Sequence, residues 1–127
     1  MILALKTDSP TAEIYALKES GEVVSREIWQ ADRTLARDLL AKIETLLNQD
    51  FDQLSGVIVF KGPGSFTGLR IGITTANAIS YAKHIPIVAT DGEKWLSDGL
   101  ERLKNGQTDQ IALPEYGAPA NITMPKK

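Results

Sequence analysis

Apolar positions recur along this chain in three rhythms, and each rhythm predicts a different element. Residues 2–5 form a short unbroken apolar run. The polar cluster Lys6-Thr7-Asp8-Ser9-Pro10 closes it, which predicts a buried strand entering a loop. Residues 12–17 and 23–29 predict two more strands, and Glu19-Ser20-Gly21-Glu22 between them is hairpin chemistry. The pattern then shifts to a helical period over residues 33–48, with Asp32 as the expected N-cap. Its apolar positions, including Leu35, Leu39, Ile43 and Leu47, cover an arc of about 140°. Residues 56–60, Gly-Val-Ile-Val-Phe, show no polar alternation, the pattern of a strand buried on both faces. A second helix over 67–82, a short strand over 86–89 and a third helix capped by Asp91 follow. Trp95, Leu96, Leu100 and Leu103 share one face of that third helix, and Asn105-Gly106 ends it. Residues 111–113 are expected as a last short strand.

The order βββαβαβα(β) predicts a single α/β subdomain: a mixed sheet, antiparallel at first and parallel later, with helices packed on it. The expected body is residues 1–113. Residues 114–127 hold Pro114, Gly117, Pro119 and Pro125, and are expected as an irregular tail ordered only where it rests on the body or a partner. The chain has 127 residues, enough for one domain with a real core. Lys and Arg number 14 against 16 Asp and Glu, so no basic surplus marks a free-standing nucleic-acid binder. There is no cysteine, which removes disulfides, thiolate metal sites and cysteine nucleophiles and fits a reducing compartment. No signal peptide or spanning helix is read, so the expected location is cytoplasmic.

The densest motif is Lys61-Gly62-Pro63-Gly64-Ser65-Phe66-Thr67-Gly68-Leu69-Arg70-Ile71-Gly72. A strand, a tight turn and a helix start in this order can hold a phosphate on free N–H groups. The spacing departs from both familiar cradles. The third glycine comes one residue late for a dinucleotide fingerprint, and Gly68-Leu69-Arg70 stands where a Walker loop needs Gly-Lys-Ser/Thr. The residues alone favour a turn with Ser65 or Thr67 capping the helix, and leave phosphate binding open. Elsewhere His84 has no second imidazole near it in sequence, the acidic residues fall at ordinary helix and loop positions, and no metal-ligand spacing occurs. Trp29 and Trp95 are expected as packing rather than base-stacking residues.

Residues 61–72 resemble the signature of the TsaB (YeaZ) family, and the opening strand, Thr7, the first helix and Ile85-Pro86 fall in matching order. The resemblance covers about residues 1–103. It implies an actin-like, ribonuclease-H-like fold. It also implies membership of the bacterial machinery that makes threonylcarbamoyladenosine at position 37 of tRNAs. There a TsaB subunit is non-catalytic and pairs, through its first two helices, with the transferase TsaD, alongside the ATPase TsaE. Two departures stand out. Lys6-Thr7-Asp8 replaces the family's Asp-Thr-Ser, so a cation-binding carboxylate is missing at position 6. The chain also reads as a short form lacking most of the second subdomain. No cofactor or metal is expected, and tRNA contact is expected only through a partner. The rival reading is a nucleotide-binding phosphotransferase-like fragment, in which residues 6–9 and 62–68 would face one nucleotide; a homodimer is a third.

On the second helix, Gly68, Gly72, Ala76 and Ser80 form a small-residue stripe flanked by Leu69, Ile73 and Ile79. Ile71, Ala78 and Ala82 lie on another side, and Arg70, Thr74, Asn77 and Tyr81 form a narrow polar strip. One side must cover the sheet. The small stripe, with Leu39 and Ile43 of the first helix, is expected to meet the partner; the alternative is that it touches the protein's own sheet.

Overall fold

The computed structural model describes residues 1–115. Strands β1 (Ile2–Lys6), β2 (Thr11–Leu17), β3 (Val23–Gln30), β4 (Gly56–Phe60) and β5 (Ile87–Thr90) make one sheet in the order β3-β2-β1-β4-β5. The β3-β2-β1 half is antiparallel and the β1-β4-β5 half is parallel. Helices α1 (Leu35–Leu46), α2 (Phe66–Lys83) and α3 (Trp95–Lys104) complete the βββαβαβα order expected of a ribonuclease-H-like subdomain.

The chemistry of β4 explains the layering. Val57, Ile58 and Val59 are fully buried because both faces are covered. Ile58 and Phe60 point to α3: Phe60 meets the Trp95 ring at 5.9 Å, and Gly99 lies against Ile58. Strand alternation therefore turns Val57 and Val59 to the opposite face, which α1 and α2 cover. Trp95 also meets Tyr15, so both tryptophan expectations resolve as packing; Trp29 lies half-buried under the Lys42 ammonium, 5.2 Å from its ring.

Several boundaries differ from expectation. A 3-10 turn, Asp32–Thr34, precedes α1, and Asp32 makes no cap: its φ of 48° starts the turn, and Thr34 occupies the N-cap position without a capping bond, its hydroxyl donating back to the Ala31 carbonyl at 2.7 Å. Asp91 does not cap α3 either. A turn at residues 92–94 intervenes, and Lys94 is the N-cap residue. Residues 111–113 are no strand. They run outside the sheet, held by the Asn77 side chain, which accepts from the Ala112 N–H and donates to its carbonyl at 2.8 and 3.0 Å. The body continues past residue 113, since the Glu115 N–H donates to the Lys61 carbonyl at 2.7 Å. The rest of the expected tail lies outside the described residues. None of the described helices is long and apolar enough to cross a membrane.

Ile43 is wholly buried between α1 and the sheet. Ile43→Ala should cost about 2–5 kcal/mol of unfolding free energy, read from urea denaturation. A cost near zero would show that α1 is not part of the cooperative core.

The glycine motif and the outward face of the first two helices

The loop after β4 and the first turns of α2 are shaped by the segment leaving β1. Thr7 is buried, and its hydroxyl donates to the Gly68 carbonyl at 2.7 Å. The Ser65 N–H donates to the Asp8 carbonyl at 2.8 Å. A Cβ on Gly68 would strike the Thr7 carbonyl oxygen, and one on Gly72 would strike the Thr7 hydroxyl. Gly64 packs on Asp8 in the same way. Three glycines of the motif thus answer one requirement, the close approach of residues 7 and 8. Gly62 adds a second, a φ of +120° at the turn before Pro63. Ser65 is the N-cap of α2, accepting from the Gly68 N–H at 3.5 Å.

This arrangement leaves little of a phosphate cradle. The Ser65 N–H faces the protein's own carbonyl. Lys6 pairs with Asp8 at 2.7 Å and sits 4.7 Å from the centre of the Phe60 ring. The strongly shifted groups lie elsewhere and serve structural pairs. The Ser55 hydroxyl, then the Met1 ammonium, hold Glu19 down at about 2. Burial, then the Glu13 hydrogen bond, pushes Tyr15 up to about 12. The hydrogen bond to Arg102 keeps Asp109 below the usual carboxylate range. Among the described residues no three His, Asp or Glu side chains gather as a metal site. His84 is the left-handed residue that ends α2 and is exposed.

The residues expected to meet a partner lie inside the chain instead. Leu39, Ile43, Leu69, Gly72, Ile73, Ala76 and Ser80 are buried, and Gly68 is half-buried under Thr7. Ser80 donates its hydroxyl to the Ile85 carbonyl at 2.6 Å. The small stripe faces the protein's own sheet because it must admit β1. The alternative weighed from the sequence is the one observed.

The outward side is the other one. Phe66, Thr67 and Arg70 from the motif lie on the exposed side of α2, followed by Thr74, Ala78 and Tyr81. Ala36, Leu40 and Ala41 are the exposed small and apolar positions of α1. Leu40 is 51% exposed, Phe66 55% and Tyr81 83%, a high level for large apolar side chains. Between the helices runs a groove of about 420 Å³ bordered by Ala36, Phe66, Arg70, Ile71 and Thr74. The sequence carried this signal: Ile71, Ala78 and Ala82 formed a second side that the sheet did not need.

A family model described as "TsaD: tRNA N6-adenosine threonylcarbamoyltransferase" matches residues 17–92, from the end of β2 to the turn before α3. TsaB of Bacillus subtilis (strain 168) is 35% identical over 100 residues, which are 76% of this chain and 43% of that protein. TsaB of Escherichia coli (strain K12) is 30% identical over 117 residues, 87% of this chain and 48% of that protein. The chain belongs to the TsaB (YeaZ) family. A solved structure of YeaZ from Pseudomonas aeruginosa superposes with a TM-score of 0.65 at 27% identity, over 71% of this chain and 43% of that one. Proteins named as the transferase itself also match the TsaB-like chain, among them that of Anaplasma phagocytophilum at 27% identity over 72% of this chain and 32% of that one. The TsaB-like chain spans about half the length of the curated TsaB relatives it matches.

Placing Gly72 against Thr7 makes opposite predictions for two sides of one helix. Gly72→Leu must displace a buried threonine and should cost about 3 kcal/mol or prevent folding. Thr74→Leu, two residues on and exposed, should change stability by no more than about 0.5 kcal/mol. Thermal unfolding of both variants tests this; equal stability would reverse the assignment of faces.

Proposed function

We propose that this chain is a non-catalytic docking subunit in tRNA threonylcarbamoyladenosine biosynthesis. Its partner is a TsaD-type transferase, bound through the outward face of α1 and α2. The observation that carries the reading is the apolar, unfilled side of those two helices, centred on Leu40, Ala78 and the groove at Ala36 and Ile71. Both helices fall within the stretch that the transferase family model matches. A TsaD-type partner therefore carries a homologous helix pair, and two homologous faces can meet about a pseudo-twofold axis as a four-helix contact. Small residues at Ala36, Ala41 and Ala78 would let those helices approach closely.

The non-catalytic role rests on the end of β1. Lys6 stands where the family resemblance implies a carboxylate, and it is occupied by Asp8 and Phe60. The motif loop is filled by the protein's own backbone. In this reading the tRNA is gripped by the partner, consistent with the net charge of -2, and TsaE acts on the assembled complex in the cytoplasm. A homodimer through the same face is the state of the subunit alone.

Co-expression with the TsaD of the same organism and size-exclusion chromatography tests the pairing. The wild-type chain should co-elute. Leu40→Glu combined with Ala78→Glu should leave the fold intact and weaken the complex at least about tenfold, since each buries an unpaired carboxylate. Co-elution undiminished in the double variant would sink the proposed face. Steady Mg-dependent ATP turnover by the isolated chain, lost on mutation of Lys6, would sink the non-catalytic role.

A further inference from the structure

The sheet has two outer strands, β3 and β5, and the chain treats them differently. At the β3 edge, charged Arg26 and Glu27 stand in the middle of the strand. Charges there oppose edge-to-edge pairing. The β5 strand, Ile87-Val88-Ala89-Thr90, has no charge, proline or glycine. Four uncharged residues, three of them β-branched, on an outer strand are a template for another strand.

That template is filled by Thr108, Asp109 and Arg102. Val88 and Thr90 are turned to β4, so the outward backbone groups belong to Ile87 and Ala89. The Ile87 N–H donates to the Thr108 hydroxyl oxygen at 3.2 Å. The Ile87 carbonyl accepts from the Asp109 N–H at 2.7 Å and from the Thr108 hydroxyl at 3.3 Å. The Ala89 N–H donates to the Asp109 carboxylate at 2.7 Å. The Ala89 carbonyl accepts from Arg102 Nη1 at 3.2 Å. Every outward ladder group of these two residues therefore has a partner, and none of the partners is a strand. Arg102 also grips the Asp109 carboxylate with both terminal nitrogens and bonds the Gln107 side chain at 2.9 Å. Beyond it, Gln110 turns the chain at a φ of 65°, and Asn77 pins Ala112. The segment crosses the edge, satisfies it and leaves without extending the sheet.

We infer that Thr108 and Asp109, clamped by Arg102, form an edge guard that closes β5 against strand addition by a second copy of this chain. The occupant excluded is another β5. Its uncharged sequence meets no like charge across an antiparallel pair, whereas β3 would set Arg26 or Glu27 against its own copy or against an apolar residue. The guard leaves the helical face as the surface open to association, and it holds whether or not the proposed pairing does.

The test uses the full chain with Thr108→Val and Asp109→Ala together. The doubly substituted protein should remain folded by circular dichroism. Its Ala89 amide should exchange with solvent about tenfold faster in dilute solution, the effect of losing one charge-assisted hydrogen bond. In sedimentation velocity it should associate more strongly than the parent as concentration rises. Adding Ala89→Pro, which removes the edge N–H, should return it to the parent's state. A folded double variant with an exposed Ala89 amide and the parent's association state would overturn the guard. So would extra association that survives Ala89→Pro. If the double variant does not fold, Arg102→Gln releases the clamp alone and is read in the same way: faster Ala89 exchange with added association supports the guard, and faster exchange without it overturns the guard.

Discussion

The approach of the end of β1 to the start of α2 is the constraint on which the other features of this chain depend. Thr7 is buried and bonded to the Gly68 carbonyl, and Ser65 reaches back to Asp8. A threonine and its backbone cannot come this close to a helix that carries side chains on that side. The glycines are therefore a packing requirement before they are anything else. With that side committed to β1, Leu69, Ile73 and Ala76 complete the cover of the sheet, and the remaining apolar side of α2 is turned outward beside Leu40 of α1. The packed core and the outward apolar face are two consequences of one contact.

The same contact weighs against nucleotide chemistry at this loop. A phosphate needs free N–H groups and a cation or cationic side chain beside them. Here the Ser65 N–H meets a carbonyl, and the Lys6 ammonium has a carboxylate and an aromatic face of its own. Among the perturbed titratable groups, Glu19, Tyr15 and Asp109 are each held by neighbours that stabilise the fold.

Much of this was legible in the sequence because it depends on periodicity. The order of strands and helices, the two-sided burial of residues 56–60 and the packing roles of both tryptophans follow from patterns that short-range physics enforces. The facing of α2 was not legible. Alanine and isoleucine recur on both sides of that helix, so hydrophobic period cannot choose between them. Only the long-range partner, Thr7, decides, and it lies about sixty residues away in the chain. Asp32 and Asp91 failed as caps for a related reason: each has the right residue type, but extra turns separate it from the helix it would cap. Residues 111–113 read as a strand by composition, yet the hydrogen bonds of the neighbouring edge had already gone to Thr108 and Asp109.

In the proposed complex, α2 presents residues 74 and 78, and not 72 and 76, to the partner. The natural absence of cysteine makes single-cysteine labelling clean. Thr74→Cys, Ala78→Cys and, on α3, Ser97→Cys would each be reacted with a maleimide, alone and with a saturating TsaD-type partner. All three should label quickly alone, and the partner should slow positions 74 and 78 while leaving position 97 unchanged. Slowing at position 97 with positions 74 and 78 still fast would contradict it.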